Sequence, residues 1–568
     1  MQRVQMLIVL VILALAGAFP AQPVMGAPPT PAAPAGWNAP TLVGAATWPD
    51  LRNFSISADG ARLVALDYLS GSDDHTRRVV TTEWVNGAWQ PLTVIAENGV
   101  YATGSMVWLP QYTHPVISGD GSVIVYLGWT GATNAPYAVD RLAGGGWSAP
   151  ALVPAGLGNT HYWLSLSHDG KTLALASYSL FGVDHVYVMT RGSGGWSAPV
   201  RVSAESGLLE GGQMPALSAD GRKLVYVQNA RATFTEQIGG QWTAPVQLTA
   251  NNHWEGERVE YPQLSGDGRA IVYWLVRSTG STLTDQTLYV MRRTGGVWGA
   301  AEQVNSRPNI PIHEISQAPV AVNREATRLL YTRTITTYDP ELGPYVYASD
   351  LDIAEWRAGA WHESTLVATD GWLYQWWPRL TPDGMKLIFK SGAQMQQMAT
   401  DTAPTPLPLP TSTSAVITPA GGELYSEIDQ TRYQFPAATF TATVHFTHTV
   451  AAPQVAPPPG HSGIGGVGGL GHGFAATALG PGGLPLQPTQ GVTVTVDYSA
   501  TGPGATIPGT RCLWWLGVQG WEPLPSVDDP ATGLLTATVD HFSTFAVFGE
   551  THSIFLPAVQ RSAALPDG

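Results

Sequence analysis

Between about residues 50 and 400, apolar residues come in short runs that recur at a near-constant spacing, each set off by the same polar turn. Leu63-Val64-Ala65-Leu66, Val123-Ile124-Val125-Tyr126, Leu224-Val225-Tyr226-Val227, Ile271-Val272-Tyr273-Trp274 and Leu387-Ile388-Phe389 each follow an Asp-Gly pair. These runs are too short for helices and rich in β-branched and aromatic residues, so they predict strands. The turn reads Ser/Thr-x-Asp-Gly at Ser57–Gly60, Ser118–Gly121, Ser167–Gly170, Ser218–Gly221, Ser265–Gly268 and Thr381–Gly384. A degenerate copy, Asn323-Arg324-Glu325-Ala326, fills the one gap. Asp-Gly between two β runs is a tight hairpin signal, because glycine takes positive φ without a Cβ penalty. Asp59 to Asp383 spans 324 positions in six intervals, a mean of 54, near the roughly 40–50 residues of a four-stranded propeller blade.

A second motif interleaves with the first: Gly, then Trp, then often Ser/Thr-Ala-Pro and a short strand. Its tryptophans are Trp89, Trp147, Trp196, Trp242, Trp298 and Trp361. The last Asp-Gly turn has no such partner after it, whereas Gly36-Trp37-Asn38-Ala39-Pro40 precedes the first turn and matches Gly146–Pro150. The N-terminal strand is therefore expected to complete the last sheet beside the strand near Leu387, which would remove the open edges of a ring. The fold class predicted is all-β: a seven-bladed propeller closed by its N-terminal strand, then a small antiparallel sandwich.

With their turn, their β run and a proline five positions before Asp (Pro115, Pro215, Pro262, Pro378), residues 36–395 resemble the TolB-type, WD40-like propeller repeats. That resemblance implies the propeller and no one activity, since such propellers host many.

After residue 400 the Asp-Gly repeat stops. A Pro/Thr-rich linker (401–415) leads to new alternating runs, Phe440–Val450, Val492–Tyr498, Leu534–Val539 and Thr544–Phe548, read as one sandwich over 416–549. Thr418–Gly422, Phe435–Ala438 and His541–Phe545 resemble parts of ZU5-like domains of exported bacterial proteins. The glycine-rich stretch 460–473 reads as an insertion between strands; its His461 and His472 lack a third ligand, and no metal is expected. Residues 550–568 read as a tail.

Composition bears on location and partner. Arg3 followed by apolar Met6–Ala16 reads as an export signal within residues 1–27, too short to span a bilayer. A secreted or envelope location is expected, without membrane insertion after cleavage. A net charge of -14 excludes a phosphate-binding patch and hence nucleic acid as partner. Charged residues make up only 12% of the chain, and lysine occurs four times. Cys512 is the only cysteine, so no internal disulfide is available, and it reads as buried and inert.

No catalytic constellation stands out: no Gly-x-Ser-x-Gly elbow, no zinc helix, no phosphate loop. The Asp-Gly aspartates read as turn residues and the recurrent tryptophans as packing between blades. What remains is an aromatic and acidic face formed by loops leading into the inner strands. Tyr112, His161, Trp163, His253, Trp254, Glu255, Glu257, His313, Glu314, Tyr374 and Trp376 are the candidate ligand residues. Flat rings beside carboxylates suit a sugar, or a peptide with basic groups. The expected role is non-catalytic binding of a glycan or protein by a monomer, without a cofactor. Two alternatives are a glycan hydrolase or lyase using carboxylates such as Glu255 or Glu257, and a structural hub for envelope assembly.

Overall fold

Each Asp-Gly turn is held by the same three contacts. Ser57 Oγ donates to Asp59 Oδ1, which accepts the Ala61 amide at 2.9 Å, while Ser57 Oγ accepts the Arg62 amide at 2.9 Å. The set recurs at Ser118/Asp120, Ser167/Asp169, Ser218/Asp220, Ser265/Asp267 and Thr381/Asp383. The glycines sit at φ between 61° and 72°. Burial raises the carboxyls of Asp59 and Asp120, but the hydroxyl and amide donors more than offset it and hold both below the usual range. In the degenerate copy Asn323 replaces the Ser–Asp pair: its Oδ1 accepts the amides of Thr327 and Arg328 at 2.8 and 2.9 Å. Ala326 there takes the glycine position at φ 50°.

The computed structural model describes residues 36–550 except 46–47, 68–75, 101–113, 132, 156–159, 179–183, 205–211, 239, 252–255, 280–281, 307–318, 340–342, 369–374, 393, 408–410, 451–466, 499–505 and 519. The proposed signal, residues 1–27, lies outside them, as does the proposed tail, residues 550–568, apart from Glu550, which ends the strand Thr544–Glu550. The described residues are strands, turns and one short 3-10 turn, Pro481–Gly483. No helix among them is long and apolar enough to cross a membrane.

The repeat units pair antiparallel throughout. Strands of the first two units share one nine-stranded sheet, joined at Gly99 opposite Gly128. The next three units form five-stranded sheets, and the sixth forms a four-stranded one. In the last sheet Thr41–Leu42 lies beside Gln394–Ala399, which lies beside Lys386–Ser391 and then Gln375–Leu380. Trp37 bridges Thr400 in the same line. The N-terminal strand is thus one strand farther out than expected, because both edges of Lys386–Ser391 are taken by its chain neighbours.

Successive turns are linked by main-chain bonds: Ala58 to Gly119, Asp120 to His168, His168 to Ala219, Ala219 to Gly266, Asp267 to Arg324 and Arg324 to Pro382, all 2.7–3.0 Å. Between the last turn and the first, the Lys386 ammonium donates to Gly60 O at 2.6 Å. At the outer side most motif tryptophans carry a cation over the ring at 5.2–5.7 Å: Arg328 on Trp37, Lys386 on Trp89, Arg141 on Trp147, Arg191 on Trp196, Arg293 on Trp298 and Arg292 on Trp361. Three of these arginines also pair with an acid of the preceding unit, Arg141 with Glu83, Arg191 with Asp140 and Arg293 with Glu236. Much of the chain's sparse positive charge is spent at joints between units.

Beyond residue 411 two sheets enclose a second core. One orders Ser412–Ile417, Val444–Val450, Val467–Leu479, Thr544–Glu550, Cys512–Gly517 and Gly520–Pro523; the other orders Gly422–Ser426, Thr431–Phe435, Val492–Asp497, Leu534–Val539 and Ser526–Asp529. Tyr433, Phe446, Phe474, Val494 and Phe545 fill the space between them. From Val467 onward the glycine-rich stretch is strand rather than insertion: its glycines pair with Thr544–Glu550, and the same strand continues into Phe474–Leu479, which pairs with Val444–Val450. The cross-strand bonds of this longer strand outweigh the poor strand propensity of glycine. Cys512 is half-buried, and burial raises its thiol despite a bond to Trp514. This part joins the ring through ions: Arg293 reaches Glu427 as well as Glu236, and Arg222 meets Asp497 at 2.5 Å and also Gln430.

Candidate functional site

A β-strand presents alternate residues to one face. In the fifth unit this puts Tyr273, Leu275 and Arg277 on the same side of Ala270–Thr279. On the next strand Tyr289 lies in register with Tyr273, and the two rings stack at 5.8 Å and 22°. Glu257 begins the inner strand directly opposite Arg277, and carboxylate and guanidinium meet at 3.0 Å. The outer edge of the preceding unit, Val246–Gln247, runs past this face. Between them lies a cleft of about 720 Å³ lined by Gln247, Leu248, Thr249, Asn251, Glu257, Tyr273, Arg277, Tyr289, Met291 and Trp298, among others. Asn251 fixes one wall by donating to Ala230 O at 2.8 Å and Glu257 O at 3.2 Å. The cleft therefore offers ring faces, a side-chain amide and one ion pair. Glu257 is the only acidic residue among its described lining residues, whereas glycoside hydrolysis uses two carboxyls roughly 5–9.5 Å apart.

The inner strands carry a feature that the sequence reading missed. Asn53, Trp163, Met214, Tyr261 and Trp377 all have positive φ, between 49° and 62°. Each lies where the pairing of its inner strand shifts register. These are β-bulges, which re-aim a side chain at the cost of local strain. The signal was present: the proline five positions before Asp follows the bulged residue at Met214, Tyr261 and Trp377. The bulge turns Trp163 and Tyr261 together edge to face at 5.6 Å, and Trp377 toward His114 at 6.3 Å. Trp163, Tyr261 and Trp377 are all buried.

Of the candidate ligand residues, Tyr112, His253, Trp254, Glu255, His313, Glu314 and Tyr374 lie outside the described residues. Trp376 is described only as strand, in register with Lys390. His161 is buried: its main chain exchanges two hydrogen bonds with the Asn134 side chain, at 2.6 and 2.7 Å. Burial pushes its imidazole down to about 4, and Nδ1 has no hydrogen-bond partner among the described residues. Trp163 lines the central cavity and Glu257 the cleft. The described candidates thus fall in separate places rather than on one patch.

His472 is buried in the C-terminal part, where its Nε2 lies 3.3 Å from Asp429 Oδ2; His448 Nε2 lies 3.0 Å from the same oxygen. Tyr433 OH is 2.8 Å from His448 Nδ1. Burial raises the Asp429 carboxyl, but the two imidazoles outweigh it and hold it well below the usual range. Among the described residues, no group of three or more His, Cys, Asp or Glu is arranged to hold a metal ion.

No protein-family profile matches the chain, and no curated protein matches it. Solved structures do. An oligogalacturonate lyase from Vibrio parahaemolyticus is 12% identical, with a TM-score of 0.42 over 65% of this chain and 97% of that one. TolB from Acinetobacter baumannii is 13% identical, with a TM-score of 0.32 over 61% of this chain and 65% of that one. The Cps50 (Swd1) β-propeller domain of Myceliophthora thermophila is 11% identical, with a TM-score of 0.39 over 64% and 99%. The structural neighbours thus include TolB and other β-propeller proteins.

Proposed function

We propose that this is an exported, non-catalytic binding protein: a closed seven-bladed propeller followed by a β-sandwich, with a glycan as its ligand. The observation that carries the reading is the cleft between the fourth and fifth units. Tyr289 and Trp298 offer half-buried ring faces there, and the Glu257–Arg277 pair and Gln247 supply polar groups at its edge. Ring faces take the apolar side of a sugar, while a few placed polar groups fix its hydroxyls. Glu257 is committed to an arginine, which suits orienting a ligand more than proton transfer. Export rests on the Arg3 and Met6–Ala16 pattern.

The purified chain on an array of glycans and cell-wall fragments tests this. Saturable retention of at least one glycan is expected, weakened at least tenfold by Tyr289→Ala and by Arg277→Ala. An empty array would end the glycan reading. Turnover of a retained glycan, lost in Glu257→Gln, would replace it with the hydrolase or lyase, and a stoichiometric protein partner without glycan retention would replace it with the hub.

A further inference from the structure

The inner strands of all seven units surround one cavity of about 320 Å³. Two residues before each turn serine, or its equivalent, the units place Ser55, Val116, Ser165, Ala216, Gln263, Ala321 and Arg379 at matching positions, and each of them lines that cavity. Arg379 is the only charged side chain in this set and the only charged one, histidine aside, among the cavity's described lining residues. It forms no ion pair with a carboxylate among the described residues. Its Nε donates to Phe54 O at 3.1 Å, Nη1 reaches Pro378 O at 3.4 Å, and the guanidinium stands 5.6 Å from the Phe54 ring centre. A guanidinium has five N–H donors, and these contacts use two.

The neighbouring polar groups are donors as well. Ser55 Oγ accepts the Ile117 amide at 2.9 Å and Ser165 Oγ accepts the Leu217 amide at 3.0 Å, each from the next unit. That fixes both oxygens at the cavity wall and leaves their hydroxyl protons available to donate. Gln263 adds a side-chain amide. Burial without a counter-charge pushes the Arg379 guanidinium down to about 10, the mark of a cation whose lost hydration is not made good by the protein. An anion in the cavity would make it good.

We propose that the cavity is a second ligand site, for a small organic carboxylate whose oxygens take the free N–H groups of Arg379, with Ser55, Ser165 and Gln263 as further donors. Guanidinium binds carboxylate in a two-pronged geometry that favours a planar anion. About 320 Å³ is at the small end of ligand cavities, which fits an acid of a few carbons and not a chain of sugars. The site is separate from the cleft of the fifth unit and does not depend on it.

Calorimetric titration of the full chain with acetate, succinate and phosphate, at constant ionic strength set with sodium chloride, tests the assignment. One saturable site for acetate or succinate is expected. Arg379→Gln, which keeps a donor for Phe54 O, should weaken it at least tenfold. Gln263→Glu should do the same by placing a competing carboxylate in the cavity while leaving Arg379 in place; its melting temperature guards against a folding artefact. Tyr289→Ala should leave this binding unchanged while removing binding at the cleft, which separates failure here from failure of the glycan reading. The proposal is overturned if neither carboxylate saturates the wild-type chain, if phosphate alone binds, or if both cavity variants bind within threefold of wild type.

Discussion

At the scale of single residues, the same side chain means different things according to where a strand carries it. In the sequence His161 reads as a ligand residue, since it stands beside Tyr162 and Trp163. In the fold, Asn134 pins its main chain and the ring is buried. Its imidazole, lowered from 6.5 to about 4, makes a specific pH dependence. The unfolded chain takes up a proton near 6.5 and the folded chain does not until about 4. Stability is therefore full above about 6.5 and falls as pH drops toward 4, by about 3 kcal/mol if the full shift is expressed. Urea unfolding from pH 7.5 to 4 should show this loss, and His161→Phe, which spares the Asn134 contacts to the main chain, should flatten the curve in that window relative to wild type. An unchanged slope would mean that the ring titrates freely in the folded chain.

At the scale of elements, the hairpin turns were legible because their chemistry is local. Ser, Asp and Gly lie within four positions and every contact among them is short-range. The degenerate copy was legible only by its spacing, since Asn323 does with one amide what Ser and Asp do together. Ala326 is fully buried and holds positive φ without the freedom of glycine. Ala326→Gly should stabilise the chain by about 1 kcal/mol. Gly221→Ala should cost at least about 1–2 kcal/mol, because its Cβ would come within 2.6 Å of Thr172 Oγ1 as well as strain the backbone. Paired melting curves of the two variants read both signs. The bulges were not legible from alternation alone. A period-2 pattern assigns faces only while register holds, and a bulge shifts it. Trp163 reads from the sequence as part of a ligand face, whereas the bulges set it edge to face with Tyr261 and set Trp377 against His114. The cleft was invisible for another reason: it joins the edge of one unit to the face of the next, and no single repeat contains it.

At the scale of the whole molecule, the ring is held by many weak joints and one distant one. Neighbouring units share main-chain bonds between turns, tryptophan–cation contacts and ion pairs, most of them between residues within one or two repeats; Arg328 on Trp37 and Lys386 on Trp89 instead join the far end of the repeat array to its start. The last sheet instead draws its outer strand from the start of the described chain. The Trp37 motif made that exchange readable, although its exact partner strand was not. Trp37 packs with Leu330, Leu351, Leu387 and Phe389 beneath the Arg328 guanidinium. Trp37→Ala should cost about 3–5 kcal/mol, and deleting residues 36–44 should lower the melting temperature of the whole ring and not only of its last unit. Hydrogen exchange read peptide by peptide would tell these apart: faster exchange confined to residues 375–400 would mean that the ring does not unfold as a unit.

Thr41 waits for Gln397, and Leu42 for Gln396. A ribosome delivers those partners only after some 350 further residues, roughly 20–70 s at ordinary elongation rates. Throughout that interval the first strand has no edge to join and the ring cannot shut. Nascent chains held short of residue 394 should therefore stay open and easily cut by protease. A chain that cannot finish its ring until residue 397 has been made stays threadable through all of that interval, which fits the proposed export through a narrow pore before folding.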